Sequence, residues 1–225
     1  MTASYPARDA GAYQNPVVRL VEVSSAREYW GQAHPMVGHE EGLMEAGARE
    51  TEVKEYRFED DGSIPNNPTL PLLVYPQALS DLDPSRCKEL LAENGWGGAW
   101  VNGVFPYHHY HSTSHEVLCV VGGSASIAFG GPDGETVEVS AGDAVVMPAG
   151  VGHCNKGSEN DFSVVGAYPP GQENYDLRTG EEGERPAVLE NIHNAALPQS
   201  DPLFGGRGPL LRLWAGQPSD GHPTR

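Results

Sequence analysis

The chain has 225 residues, of which 38% are hydrophobic, and its 14 basic and 31 acidic side chains give a net charge of -17. This length can hold one hydrophobic core with extensions. A surface with this negative charge repels phosphate backbones and anionic lipids. Neither nucleic acid nor a membrane is therefore an expected partner. The 28 glycines and 19 prolines are typical of a protein with short strands and many turns.

The N-terminal residues show no basic region followed by an apolar run, and no apolar stretch is long enough to cross a bilayer. The three cysteines, Cys87, Cys119 and Cys154, are odd in number and far apart. A disulfide framework is therefore not expected. Together these features predict a cytoplasmic protein with reduced thiols.

The first half of the chain is predicted to contain few regular elements. Residues 1–50 show no regular spacing and are expected to form an N-terminal extension or lid. Residues 53–58 and 70–75 have the patterns of two strands. Asp83 is a good helix cap, with proline at the next position and Gly95 as a stop, so this stretch predicts one short helix.

From residue 96 to residue 168 the chain is a series of short apolar runs separated by glycine-rich turns, which favours an antiparallel barrel or sandwich. A domain over 51–170 is expected, followed by a tail over 171–225 that wraps the core and has a last strand or docking segment at 210–214. The run 117–121 is apolar on both faces, so N-terminal strands or a second subunit should cover it. A homodimer is the expected assembly. The predicted strands are 98–104, 107–111, 116–121, 124–129, 135–139, 144–147 and 163–168.

The segment 107–116 holds four of the nine histidines. His109 and His111 lie two residues apart and point to the same face if this segment is a strand. Glu116 follows a short turn, and His153 lies downstream after a glycine-rich loop. Imidazole and carboxylate are ligands for a divalent metal. The sequence therefore predicts a metal site of three histidines and one carboxylate.

Neighbouring polar residues receive weaker roles. His108 alternates away from the site, whereas His115 could replace the carboxylate as a ligand and is otherwise expected to support the site or lie at the surface. Tyr107, Tyr110 and Tyr168 could hydrogen-bond a substrate, although packing is the favoured interpretation for each. No general acid or base can be named.

The spacing of these residues resembles the two motifs of the cupin family. The first motif runs from Gly103 through the two histidines and the carboxylate to Gly123, and the second runs from Gly142 to His153, with eighteen residues between the motifs. The family's pattern places asparagine four positions after its last histidine, where this chain has Gly157. Further similarity, over residues 50–215, is to a largely uncharacterised branch of small cupins.

The resemblance implies a mainly all-β jelly-roll barrel that binds one divalent metal ion through His109, His111, Glu116 and His153. Fe(II) is favoured, with Mn, Ni, Zn, Co and Cu left open. The expected function is that of an Fe(II) oxygenase or oxidoreductase acting on a small organic metabolite, with O₂ as a candidate co-substrate. Two alternatives stay open: a redox-neutral isomerase or lyase, and a non-catalytic small-molecule-binding protein.

Overall fold

The structure is a computed structural model, which describes residues 47–80 and 82–215. The expected N-terminal extension lies almost wholly outside the described residues. The strands are β1 Gly47–Ala48, β2 Lys54–Tyr56, β3 Leu72–Tyr75, β4 Leu79–Ser80, β5 Gly97–Asn102, β6 Glu116–Gly122, β7 Ser124–Phe129, β8 Glu135–Ser140, β9 Ala144–Met147, β10 His153–Ser158 and β11 Ser163–Tyr168. The helices are α1 Pro84–Glu93, α2 Ala187–Asn194 and α3 Pro209–Ala215.

These strands form a six-stranded sheet in the order β2-β3-β9-β6-β11-β5, a three-stranded sheet in the order β10-β7-β8, and the small pair β1-β4. Every strand pairing in the described part of the chain is antiparallel. Inward side chains of the two larger sheets meet in one apolar cluster, to which Leu118 and Val145 contribute from one sheet and Ile127 and Phe129 from the other. The fold is therefore the predicted, mainly all-β arrangement of packed antiparallel sheets.

The predicted strand over 107–111 is wrong in detail. This segment makes only isolated bridges, from His109 to His153 and from Tyr110 to Arg178. A strand needs a continuous ladder, and here each of the two residues pairs with a different part of the chain. The segment is thus held on two sides, which fixes the backbone that carries the histidines.

The outer face of β6 is covered by the chain itself. Val117 and Cys119 pack in a buried cluster with Leu91 of α1 and with Leu210 and Trp214 of α3. The expected cover by N-terminal strands is confirmed in part, because Leu79 of β4 belongs to this cluster and Ala48 of β1 packs against it, whereas the helices were not expected there. The homodimer stays a prediction, but this strand no longer supports it.

The helices differ in how well the sequence predicted them. In α1, the Asp83 carboxylate accepts hydrogen bonds from the backbone N–H groups of Ser85 and Arg86, as expected of the cap. The segment 210–214, predicted as a strand or docking segment, is the helix α3, whose buried Leu210 and Trp214 share one face. The helix α2 was not predicted. None of the described helices is long and apolar enough to span a membrane.

Two motif glycines have a backbone that other residues adopt only with strain. Gly123, between β6 and β7, has φ +59°, and a Cβ there would lie 2.7 Å from the backbone nitrogen of Phe162. Gly150 has φ +94°, and its Cβ would lie 2.5 Å from the backbone oxygen of Asn66. Gly150 also donates its N–H to the His111 carbonyl at 2.8 Å, so this turn ties the two motifs together.

Candidate metal centre

Three of the four predicted ligands form a compact cluster. His109, His111 and His153 are buried, and one ring nitrogen of each lies within 4.8 Å of those of the other two. The backbones of His109 and His153 exchange two hydrogen bonds, of 3.1 and 2.9 Å, which fix the two rings side by side. The tight approach therefore follows from main-chain pairing between the two motifs.

Backbone carbonyls orient two of the rings. The His109 Nδ1 lies 3.0 Å from the carbonyl oxygen of Tyr107. The His111 Nδ1 is hydrogen-bonded to the carbonyl oxygen of Asp176. Because a carbonyl only accepts, each Nδ1 carries a proton, and in the neutral ring the Nε2 then has a free lone pair. Metal-ligating histidines are commonly held in this way.

Glu116 lies beside two of the three histidines, although the compact group of ligand atoms among the described residues contains the histidines alone. Its Oε1 accepts a hydrogen bond of 2.8 Å from the Tyr168 hydroxyl. Its Oε2 is buried and has no hydrogen-bond partner among the described residues, and it lies 3.5 Å from the Nε2 of His111 and 3.7 Å from the Nε2 of His153. Such separations suit ligand atoms that each lie about 2.0–2.2 Å from one ion. An unpartnered buried carboxylate oxygen facing imidazole lone pairs fits a bound cation.

Burial and charge set the protonation of the three imidazoles. Burial lowers the pKa of His109 and of His153 from the ordinary value of histidine. Burial acts in the same direction on His111, but the Glu116 carboxylate and the carbonyl and carboxylate of Asp176 together outweigh it, and the pKa of His111 is raised. His109 and His153 are therefore neutral at pH 7, the form that binds a metal.

Tyr168 is part of the site, although packing was its favoured interpretation. Its hydroxyl donates to Glu116 and accepts a hydrogen bond of 2.7 Å from the indole N–H of Trp100. Burial and the Glu116 carboxylate raise its pKa far above the ordinary value, so it stays protonated. Its position at the end of β11 was visible in the sequence, but no spacing rule connects it to the carboxylate.

A short stretch of the C-terminal tail, residues 175–178, covers one side of the cluster, and we call it the strap. The Tyr175 ring stacks on Tyr168 at 4.6 Å and meets the His111 ring edge-on at 4.7 Å. The Asp176 carboxylate accepts hydrogen bonds from the backbone N–H and the hydroxyl of Ser112, at 2.7 and 2.6 Å. No sequence pattern indicated the strap, because the strap itself is irregular and its contacts join residues 64 positions apart.

The other two histidines of the 107–116 segment lie outside the cluster. His108 is partly buried and lacks a hydrogen-bond partner for its Nδ1 among the described residues. His115 is fully buried, neither a surface residue nor a member of the cluster. Its Nδ1 accepts the backbone N–H of Ala149 at 2.9 Å, and its ring packs on Trp214. It thus holds the turn that precedes His153.

The position that departs from the motif lies away from the cluster. Gly157 follows a β-bulge in β10 and donates its N–H to the Asn155 side chain at 2.8 Å. The Asn155 amide donates to the hydroxyl of Ser158. These contacts are confined to β10, and they give Asn155 a role in the strand's irregularity.

A cavity of about 220 Å³ opens onto the cluster. The predicted ligands lie together on its wall with Tyr168, and the remaining wall is mostly apolar and aromatic, including Trp100, Phe105, Leu118 and Leu177. A concave, largely apolar pocket with a few convergent polar groups is the usual form of a small-molecule site.

The fold and this site define a cupin, and the comparisons agree. The Cupin domain family model matches residues 100–165. The chain is 48% identical over 165 residues to the uncharacterized protein YjlB of Bacillus subtilis (strain 168), which covers 73% of this chain and 98% of YjlB. The chain belongs to the cupin family, and within it to the uncharacterised branch of YjlB.

Solved cupin structures are more distant. The 3,5-epimerase RmlC from Legionella pneumophila is 12% identical, with TM-score 0.31, over 52% of this chain and 71% of its own. Acireductone dioxygenase from Bacillus anthracis, with a cadmium ion in its active center, is 22% identical, with TM-score 0.27, over 44% of this chain and 60% of its own. Likeness at this level carries no argument about activity.

Proposed function

We propose that this protein is a metal-dependent cupin enzyme, a mononuclear Fe(II) oxygenase or related oxidoreductase that acts on a small organic metabolite. One observation supports it above the others: the Glu116 Oε2, which has no hydrogen-bond partner within residues 47–80 and 82–215, faces the histidine cluster at a cavity wall. A site built only for structure would be closed by its own ligands, whereas this one adjoins space for a small molecule.

The proposed ligands are His109, His111, Glu116 and His153. When bound, Fe(II) supplies open coordination positions where O₂ and an organic substrate can meet. Other groups of the protein orient these ligands. Backbone carbonyls orient the His109 and His111 rings, and the Tyr168 hydroxyl binds one oxygen of Glu116 and leaves the other for the metal. The Tyr175 ring packs against His111 and covers one side of the site.

The test is O₂ consumption. The protein is purified without oxygen, its metal content is measured, and the iron-loaded form is mixed with a panel of small metabolites in an oxygen electrode. We expect uptake that depends on one class of compound. Two controls accompany it: the zinc-loaded wild type, which keeps the site but lacks redox activity, and His109→Ala.

The outcomes separate the candidate functions. Equal uptake by the His109→Ala variant would place the activity elsewhere in the chain. No uptake by the iron-loaded protein with any compound would overturn the oxygenase, and turnover of a compound without oxygen would indicate an isomerase or lyase. The three cysteines are free and buried, which supports the proposed cytoplasmic location.

A further inference from the structure

The walls of the cavity are apolar beyond the ligand cluster. Trp100, Val104, Phe105 and Leu118 line it from the jelly roll, and Leu177 lines it from the strap. The remaining polar side chains on the wall are uncharged: the Asn102 amide and the tyrosine hydroxyls. A bound molecule would therefore meet apolar surface wherever it does not meet the metal.

The wall carries no cation. Among the described residues, no lysine or arginine lines the cavity, and Glu116 is its one carboxylate. Arg178, in the strap, donates its Nε–H to Asp176 at 2.7 Å and does not reach the lining. A phosphate or carboxylate away from the metal would lose its hydration without gaining a partner, which is costly.

The volume limits the size of the ligand. About 220 Å³ is somewhat more than the roughly 150 Å³ of an apolar cavity that takes up benzene, and less than the usual range for drug-sized ligands. The Trp100, Phe105 and Tyr175 rings can offer stacking or edge contacts to a planar guest. These features suit one substituted ring.

The entrance of the cavity is also lined by apolar residues. Val101, Phe105, Tyr175 and Leu177 line the cavity and yet are 42%, 44%, 40% and 43% exposed. They make up most of the exposed large hydrophobic residues in the described part of the chain. Exposed apolar residues gathered at one place mark a binding site more often than residues scattered singly.

We infer that the substrate is a molecule the size of a single substituted ring that offers one or two oxygen atoms to the metal and is otherwise uncharged and apolar. This inference rests on the proposed function, because the oxygen atoms need a metal to bind. It excludes sugar phosphates, dicarboxylates and other compounds with an anionic group remote from the metal.

The test compares two probes that differ by one carboxylate. Zinc-loaded protein is titrated with catechol and with 3,4-dihydroxybenzoate in a calorimeter. Both offer the same pair of oxygens, and the second adds an anion on the far side of the ring. We expect catechol to bind at least about tenfold more tightly. Equal or tighter binding of 3,4-dihydroxybenzoate would overturn the inference.

A matched pair of variants tests where the discrimination arises. Leu177→Arg places a cation at the cavity mouth and should shift the preference toward 3,4-dihydroxybenzoate by several fold. Leu189→Arg places the same charge on α2, where Leu189 is also exposed but does not line the cavity, and should leave the preference unchanged. An equal shift in both variants would attribute discrimination to overall charge and contradict the inference.

Failure of the proposed function is recognisable separately. If the protein takes up no zinc, the metal site itself is wrong. If it binds one zinc ion per chain but neither probe, or prefers the charged one, the metal site stands and the substrate class is wrong.

Discussion

At the scale of single residues, the central feature is a carboxylate whose two oxygens have different environments. The Tyr168 hydroxyl donates a hydrogen bond to one oxygen of Glu116, and the other oxygen is buried beside the imidazoles without a hydrogen-bond partner in the described part of the chain. Leaving a buried carboxylate oxygen unpaired destabilises a fold unless a cation or proton takes its place. The Tyr168 hydroxyl therefore decides which oxygen is left for the metal.

Replacing Tyr168 by phenylalanine removes the hydroxyl that donates to Glu116 and keeps the ring. We expect metal affinity to fall about 10- to 100-fold, as is usual when a group that orients a ligand is lost. Competition with a chelator of known affinity measures this.

Tyr110→Phe is the matched control. Tyr110 is also fully buried, and its hydroxyl donates to Glu184 at 2.7 Å, outside the cluster. Its loss should reduce stability and leave metal affinity unchanged. If the two variants bound metal equally well, Tyr168 would have no role in orienting the carboxylate.

The residue types at the site were predictable to different degrees. The four proposed metal ligands could be predicted from their residue types and spacing, because a divalent metal needs those donor types and the intervening turns need glycine. These ligands are His109, His111, Glu116 and His153. Tyr168 carries no such signal, because its role depends on where the end of β11 lies beside β6. The same holds for His115, whose fully buried ring follows from packing against α3.

At the scale of elements, the strap joins the C-terminal segment to the site. Asp176 supplies the carbonyl that orients His111, and its carboxylate binds Ser112 and Arg178. Burial by itself would raise the pKa of Asp176, but these hydrogen bonds outweigh it, and the pKa is lowered. The ionised carboxylate is therefore bound more strongly in the folded chain than in the unfolded one.

Asp176→Asn should lower the free energy of unfolding by about 1–3 kcal/mol at pH 7, because charge-assisted hydrogen bonds are lost. A lowered folded pKa gives stability that is present above the unfolded pKa of about 3.9 and is lost as the pH falls through the folded value. The difference between variant and wild type should then vanish in acid, as urea denaturation at several pH values would show.

Asp60→Asn is the control for that substitution. Asp60 pairs with Arg185 but is largely exposed, so its loss should cost less than about 1 kcal/mol. An equal cost for both variants would mean that the strap is no better anchored than an ordinary surface pair.

The helix α3 closes the outer face of the large sheet. Trp214 is 3% exposed, and its indole N–H donates to the Pro71 carbonyl at 3.0 Å. Trp214→Ala should cost about 3–5 kcal/mol of stability, because it leaves a cavity and an unpaired carbonyl. Leu189→Ala, at an exposed position of α2, should cost under about 0.5 kcal/mol by the same denaturation measurement. A Trp214→Ala variant as stable as the wild type would mean that something else covers this face.

The sequence could not assign α3 because a short apolar run fits a strand and a buried helix equally well. Residues 210–214 contain four apolar side chains and one arginine, with no polar alternation to decide between them. The cap of α1 shows the contrast: Asp83, followed by proline, identified that helix before its packing was known. Local hydrogen bonding is visible in a sequence, whereas the partner of an apolar face is not.

At the scale of the whole molecule, metal binding should couple to pH. Bound imidazoles must be neutral, and the raised pKa of His111 makes it the first of the three to take up a proton in the metal-free protein. We expect metal to be released as the pH falls through about 6 and below, with a loss of thermal stability. Equilibrium dialysis at several pH values measures the bound metal, and full retention at pH 5 would argue against imidazole ligands.

The assembly remains a prediction at this scale. The doubly apolar β6 no longer argues for a homodimer, because α1 and α3 cover its outer face. The molar mass in solution would determine whether another surface joins two copies.

The most direct test of the central claim is metal stoichiometry by elemental analysis. We predict about one divalent ion per chain for the wild type and for His108→Ala, because His108 lies outside the ligand cluster. His109→Ala should lose most of the metal while remaining folded. A His109→Ala variant that binds metal stoichiometrically and as tightly as the wild type would contradict the proposed site.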